Sequence, residues 1–457
     1  MVFSSLLFLF YFLPITLLLY FISPKQWKNT VLLLLSLVFY AWGEPIYIVL
    51  ILFTSMADYV IGRLIGKYHG TKKAKVLLLF SLIVSIGLLF FFKYANFLIA
   101  NINGLFSLQL PELQLALPLG ISFYTFQTMS YIIDVYRGKV RAQKSFITFA
   151  MYVTLFPQLI AGPIVRYDDI EKQLHKREIT LEDFSTGIRI FIIGLAKKVL
   201  IANQIGLLWE DIQSQPQTEL TVVAAWLGII AFSFQIYFDF SGYSDMAIGL
   251  GRMFGFRFPQ NFNYPYTSRS IAEFWRRWHM TLGTWFREYI YIPLGGNRKG
   301  KSRTYINLLI VWMLTGFWHG ANWNFLLWGL YFGVLISLER AFLQKRLDQL
   351  PRVVQHGYFV FFIAIGWVFF VFEDIGQGWI YLQTMFGFAG GGWIHTDVVY
   401  LLMNYLILLL IALIASIPRG RLKMPKGLEP VIMIGLLVLS VAYLVGAAYN
   451  PFLYFRF

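Results

Sequence analysis

The stretch KSRTYINLLIVWMLTGFWHGANWNFLLWGLYFGVLISLER, residues 301–340, decides how this chain folds. Residues 304–339 are predominantly apolar, yet Arg303 and Arg340 close both ends. Basic loops stay on the cytoplasmic side of a membrane, so a single crossing would place one of these ends on the wrong face. The stretch is therefore expected to dip in and return, with its apex near Gly320. From Thr304 to Trp318 there are 15 residues, and at ~1.5 Å rise each they carry the chain ~22 Å from its basic entry. His319 then stands at depth, where an ionisable group is costly and marks function by default. The competing reading is a histidine bonded to a neighbouring helix as structural glue. Gly316, Gly320 and Asn322 around it point to close backbone approach and a polar neighbourhood.

Working outward, the whole chain has the composition of a membrane protein. Of its 457 residues 58% are hydrophobic and 13% are charged, against roughly 25% charged in soluble domains. Apolar runs at 3–22, 30–42 with 46–62, 76–99, 115–136, 184–206, 220–250, 356–373, 398–418 and 430–449 read as spans, each close to the ~20 residues a crossing helix needs. With the stretch at 304–339 they give an all-α polytopic fold of about 11 transmembrane helices plus re-entrant and interfacial ones. Residues 1–22 lack the basic start and small-residue cleavage site of a secretory signal and read as the first span. The chain is expected to form one integral membrane domain, 1–457, with no internal repeat.

The net charge of +15 sits in short loops between the apolar runs. That distribution speaks for orientation in a cell membrane and contact with its lipid, and against nucleic acid. Basic clusters at 25–28, 63–75, 137–144, 166–177, 252–303, 340–352 and Arg419 to Lys426 are assigned to the cytoplasm. Loops 100–114, 207–219 and 374–397 carry no Lys or Arg and are assigned outside. The absence of cysteine excludes disulfides, thiolate metal sites and a cysteine nucleophile within this sequence.

Two segments depart from simple crossing. Residues 145–163 have basic loops on both sides and end in Phe156-Pro157 and Ala161-Gly162-Pro163, so a re-entrant segment surrounded by protein or a water cavity is expected. The long polar interruption from Arg252 to Arg303 alternates arginines with Phe274, Trp275, Trp278, Trp285 and Phe286, the pattern of helices lying on the interface.

Two further clusters are able to carry chemistry. In the segment 235–245, QIYFDFSGYSD, Gln235, Asp239 and Gly242 recur at helical spacing and share a face, with Tyr237 and Ser241 beside them. Asp239 is suited to orienting a histidine, holding a substrate amine, or pairing with an arginine. In Phe274-Trp275-Arg276-Arg277-Trp278-His279, helical spacing puts Arg276 one turn from His279. Such a basic, aromatic surface suits an anionic nucleotide such as coenzyme A, or equally a lipid headgroup. His69, His175, His356 and His395 read as solvated or interfacial. There is no phosphate-loop, HExxH or GxSxG pattern, and the acids and histidines are too scattered for a metal site.

Five ordered motifs bring in a resemblance. They are Pro118-Leu119-Gly120-Ile121-Ser122-Phe123; Phe156-Pro157-Gln158 with Ala161-Gly162-Pro163; 239–245; 274–279; and Gly316-Phe317-Trp318-His319-Gly320. Together they cover about residues 115–335, and the sequence resembles the membrane-bound O-acyltransferase (MBOAT) family, above all its bacterial polysaccharide-acetylating branch. Residues 115–335 would then be the catalytic core, with helices ringed around a thinned centre and a cytoplasmic funnel reaching a buried histidine. The resemblance implies that His319 is catalytic and that His279 occupies the family's second position. It implies acetyl-CoA as the acyl donor, with no bound cofactor, and an extracytoplasmic SGNH-type transferase as partner. Asp239, Tyr237, Ser241 and Asn322 are the expected supporting polar network, and Arg276, Arg277 and Trp278 the expected donor contacts. The rival readings are D-alanyl transfer to teichoic acid, a glycolipid transporter or flippase, which predicts inverted repeats, and a scaffold that has no use for His319.

Overall fold

The computed structural model describes residues 1–160, 162–418, 427–446 and 453. The cluster Arg419 to Lys426 and Ala161 of the second motif lie outside the described residues. Among the described residues the regular structure is entirely helical. In chain order the helices are α1 (Leu13–Ile22), α2 (Lys28–Ala41), α3 (Ile48–Lys67), α4 (Lys72–Phe106), α5 (Ile121–Tyr136), α6 (Phe146–Thr154), α7 (Phe156–Leu159) and α8 (Tyr167–His175). Then come α9 (Leu181–Ala196), α10 (Asn203–Gln213), α11 (Val222–Met253), α12 (Ile271–Arg277), α13 (Met280–Phe286), α14 (Lys301–His319) and α15 (Trp323–Leu338). The chain continues through α16 (Gln344–Leu347), α17 (Arg352–Val371), α18 (Ile375–Met385), α19 (Thr396–Ala415) and α20 (Leu428–Gly446).

Eight of these stretches are long and apolar enough to cross a membrane: 48–67, 72–106, 181–213, 222–253, 323–347, 352–371, 396–415 and 428–446. The expected spans therefore recur as helices, while eight of the expected 11 or so meet the length and hydropathy of a crossing helix among the described residues. The physical reason is length and charge. The apolar stretch Phe8–Ile22, α2 and α5 have fewer than 18 residues, and α14 begins with Lys301 and Arg303.

The chain divides into two compact units, one of 1–194 with 243–260 and one of 195–242 with 261–457. In the first, Phe3, Phe8, Phe12, Phe39 and Phe156 form an aromatic core closed by Tyr243, whose ring stacks on Phe3 at 4.6 Å. The re-entrant expectation for 145–163 falls in this unit. Helix α6 has nine residues, about 13 Å of rise, which is less than half a bilayer core. The helix stops at Leu155, and every residue from Thr148 to Ile160 is buried, the protein lining that such a segment requires. Gly120 supplies a left-handed turn before α5 (φ 74°), and a Cβ there would meet the Leu159 carbonyl 2.6 Å away.

The second unit contains the hairpin. Helix α14 ends at His319, Gly320 to Asn322 turn the chain, and Asn322 caps α15 by accepting from the Trp323 amide at 2.6 Å. Contacts between the arms run in opposite chain directions: Gly320 with Phe325, Gly316 with Gly329, and Trp312 with Gly333. The glycines let the backbones meet, in the small-residue packing typical of membrane helices. A Cβ on Gly316 would collide with the Phe325 carbonyl, and one on Gly329 with the Trp312 carbonyl. Gly316→Val is therefore expected to destabilise by at least the 1–3 kcal/mol of an overpacked core, roughly. Gly435→Val in α20, where nothing lies within 4 Å, should be neutral. Thermal unfolding in detergent compares the two, and equal melting points would remove the hairpin from the account.

Candidate functional site

His319, His279 and Asp239 all lie in the second unit. The turn that ends α14 presents His319 against the edges of Trp328 and Phe370, at ring-centroid separations of 5.0 and 5.5 Å. The side chain is 7% exposed. His279 comes from a different local device. Helix α12 stops at Arg277, Trp278 is extended, and His279 takes left-handed angles (φ 44°, ψ 51°) before α13 begins. A non-glycine residue in that region costs on the order of 1–3 kcal/mol and persists only where the surroundings impose it. Here Asn261 does so. Its carbonyl accepts from the Met280 amide at 2.9 Å, and its Oδ1 accepts from the Thr281 amide and hydroxyl at 3.3 and 2.9 Å.

That arrangement also fixes the imidazole tautomer. An amide N–H only donates, so the Asn261 atom facing Thr281 is oxygen, and His279 Nδ1, 3.1 Å away, must carry the proton it donates. The buried Nε2 has no hydrogen-bond partner and is left as an acceptor. Burial lowers the His279 pKa from 6.5 to about 3, so the ring is neutral at physiological pH.

A cavity of about 270 Å³ joins the two histidines. Its buried end carries His279, His319 and Thr315, Trp278 forms part of its wall, and the exposed Arg287 and Arg340 stand on its rim. Lining residues on α14 run from Leu308 to His319, which is roughly 16 Å of helix. A second, smaller cavity is lined by Asp239, Phe240, Trp367, Phe370 and Leu453, and again by Trp278 and His319. His319 and Trp278 are thus the wall common to both.

Asp239 answers the open question about its role with an ion pair, although the cation is not an arginine. Lys198 Nζ lies 2.5 Å from Asp239 Oδ1, and both side chains are 3% exposed. The second carboxylate oxygen accepts from the Leu453 amide at 2.9 Å. Lys198 is set by a π-helical stretch, Lys197–Ala202, between α9 and α10, and local π geometry recurs at functional sites. Gln235, buried and with Oε1 unpartnered, lies on the same helix as Asp239, α11.

Three expectations need correction. Arg276 and His279 do not share a helical turn, because the left-handed residue breaks the helix between them; Arg276 is exposed while His279 is 2% exposed. Neither Arg276 nor Arg277 lines the cavities, and Arg277 is held by Glu273 at 2.7 Å and by Thr267; of the three expected donor contacts only Trp278 reaches them. The aromatic face of 274–286 is not an open interfacial face either. Phe274, Trp278 and Trp285 are buried, with Phe274 and Trp278 packed against Trp367. In the supporting network, Asn322 serves the hairpin turn and donates to the Glu373 carbonyl at 3.3 Å. Tyr237 packs on Tyr266 and Trp278, and Ser241 is fully buried with Oγ unpartnered; neither lines a cavity.

Sequence reasoning missed Lys198, Asn261, Arg287 and Arg340. Lys198 left a readable trace, a lysine pair inside an otherwise apolar run. No cluster of three or more potential metal ligands occurs among the described residues.

Comparison with known proteins places the chain in a family. The profile of the membrane-bound O-acyltransferase family, MBOAT, matches residues 139–375. A protein of Azotobacter vinelandii named "Probable alginate O-acetylase AlgI" is 44% identical over 405 residues, 87% of this chain and 80% of the relative. The peptidoglycan O-acetyltransferase of Helicobacter pylori is 36% identical over 86% of this chain and 81% of its own length. The teichoic acid D-alanyltransferase of Bacillus subtilis is 31% identical over 49% of this chain and 59% of its own. A multi-pass helical chain that brings His319 and His279 to one cavity, and that aligns over these lengths, belongs to the membrane-bound O-acyltransferase family.

Proposed function

We propose that this enzyme moves an acetyl group from acetyl-CoA on the cytoplasmic side toward a hydroxyl of an extracytoplasmic polysaccharide, directly or through a partner transferase of SGNH type. The observation that carries the reading is the position of His319 in the wall common to two cavities. One of these has a basic rim, Arg287 and Arg340, suited to the phosphates of a nucleotide thioester. The other is a void of about 20 Å³ beside Asp239, room for about one water molecule next to the imidazole. His319 is the general base: it takes the acceptor hydroxyl proton as the oxygen bonds to the acyl carbon. The carbon–sulfur bond then breaks, and the His319 imidazolium gives its proton to the leaving thiolate, which restores the neutral base. Imidazole has the basicity for this near neutral pH. His279, neutral and with Nε2 open as an acceptor, positions a substrate hydrogen-bond donor rather than serving as an acid.

The names of the relatives support acetyl transfer to a polysaccharide. Purified protein in proteoliposomes, given acetyl-CoA labelled in the acetyl group, is expected to release free coenzyme A and transfer label to polysaccharide in the presence of the transferase. Consumption of a D-alanyl carrier thioester with none of acetyl-CoA would replace this reading by the teichoic-acid one. Transport without thioester consumption would make the protein a flippase.

A further inference from the structure

The first unit contains a basic concavity that acyl transfer does not use. The C-terminal end of α3 and the turn joining α5 to α6 enclose a cavity of about 690 Å³. Arg63, Lys67, His69 and Arg141 supply its polar wall, and Leu64, Val135 and Val140 its apolar one. No Asp or Glu lines it. Among the described residues no carboxylate comes within ion-pair distance of Arg63, Lys67 or Arg141. Two acids are engaged by a lysine of this turn that does not line the cavity: Lys139 holds Asp168 at 2.7 Å and Asp134 at 3.8 Å.

The walls are tied together by backbone-level contact. A Cβ on Gly66 would come within 2.9 Å of the Ala142 Cβ, and one on Gly138 (φ 71°) within 3.0 Å of His69 Nε2. The turn thus packs closely on α3, while the charged groups around the opening, Arg63, Lys67, His69 and Arg141, are exposed. Three permanent positive charges facing one space repel one another until an anion enters. Two guanidinium groups with a lysine match the several oxygens of a phosphate. The location narrows the source: α3 is one of the helices able to cross a membrane, and its basic end is where a headgroup lies.

We propose that this cavity binds the phosphate of an anionic phospholipid headgroup. Phosphate oxygens contact Arg63 and Arg141, and the acyl chains lie along the apolar surface of α3. The test uses the full chain in detergent, with native mass spectrometry of bound phosphatidylglycerol and phosphatidylcholine. The double variant Arg63→Gln/Arg141→Gln is expected to retain phosphatidylglycerol with roughly 30-fold lower affinity. Lys72→Gln/Lys75→Gln removes the same charge from exposed positions outside the cavity and should leave retention unchanged. Equal loss in both double variants, or loss in neither, overturns the site. Soluble glycerol phosphate is the competing arm. If it protects the wild type against unfolding as well as phosphatidylglycerol does, and Arg63→Gln/Arg141→Gln abolishes both effects, the phosphate site stands and its source is soluble. Should the double variant fail to fold, Lys67→Gln alone is expected to weaken retention about 5-fold, and wild-type retention there overturns the proposal.

Discussion

Replacing His319 by Ala should leave a folded, membrane-inserted protein whose acetyl transfer has fallen by roughly 10²–10⁴-fold, the usual contribution of a positioned general base. The size follows from placement. His319 is the one imidazole that lines both cavities, so the group that takes up the acceptor proton has no evident substitute there. The substitution also removes a ring packed against Trp328 and Phe370, and some loss of stability accompanies it. His319→Gln, which keeps most of the volume, separates the two effects: activity should remain low while the melting point recovers. Initial rates of coenzyme A release at saturating acetyl-CoA measure the outcome. Wild-type turnover in either variant would end the assignment of the base. His279→Ala offers an informative contrast. A residue that positions substrate through Nε2 should act largely on KM, whereas loss of the base acts on kcat.

The second large effect concerns stability. Lys198→Ala should destabilise the protein by about 3–5 kcal/mol, because it strands the Asp239 carboxylate in a buried site without its cation. The pair is 3% exposed on both sides, so water cannot take the lysine's place. Asp239→Asn alone strands the lysine in the same way, and combining it with Lys198→Ala should restore most of the loss, since removing both charges costs far less than removing one. The double variant also keeps a polar group opposite the Leu453 amide. Melting points of the two single variants and the double variant in one detergent decide the matter. Independent, additive losses would mean that the two side chains do not act as a pair.

Much of the architecture was readable before any coordinates, for identifiable reasons. The hairpin turn at Gly320 followed from loop charge at Arg303 and Arg340, and the break after the short helix α6 from Phe156-Pro157. The first is a long-range constraint that a membrane imposes on a linear pattern. The site was legible only in part. Membership of His319 and His279 in one cavity depends on where α12 stops, and that is set by a single left-handed residue held by Asn261, 18 positions earlier. Helical periodicity assumes continuous helix and so placed Arg276 beside His279. Likewise, Asp239 announced a need for a cation, but Lys198 lies 41 positions away on another helix, and spacing does not reveal such partners. The arginines at the cavity rim were visible only as members of basic loops, indistinguishable in sequence from those that merely orient the chain.

The glycine-lined hairpin also bears on how the protein is made. Helix α14 is not among the helices apolar enough to cross a membrane by themselves, whereas its partner arm is. A nascent chain that has exposed only residues 301–319 is therefore expected to gain too little from lipid to commit, and to enter together with α15 once that arm emerges. Gly316 and Gly329, where the backbones touch, set whether that joint entry succeeds. Changes at these positions are then expected to act during biosynthesis, as poor integration and proteolytic clearance, before any effect on turnover is seen.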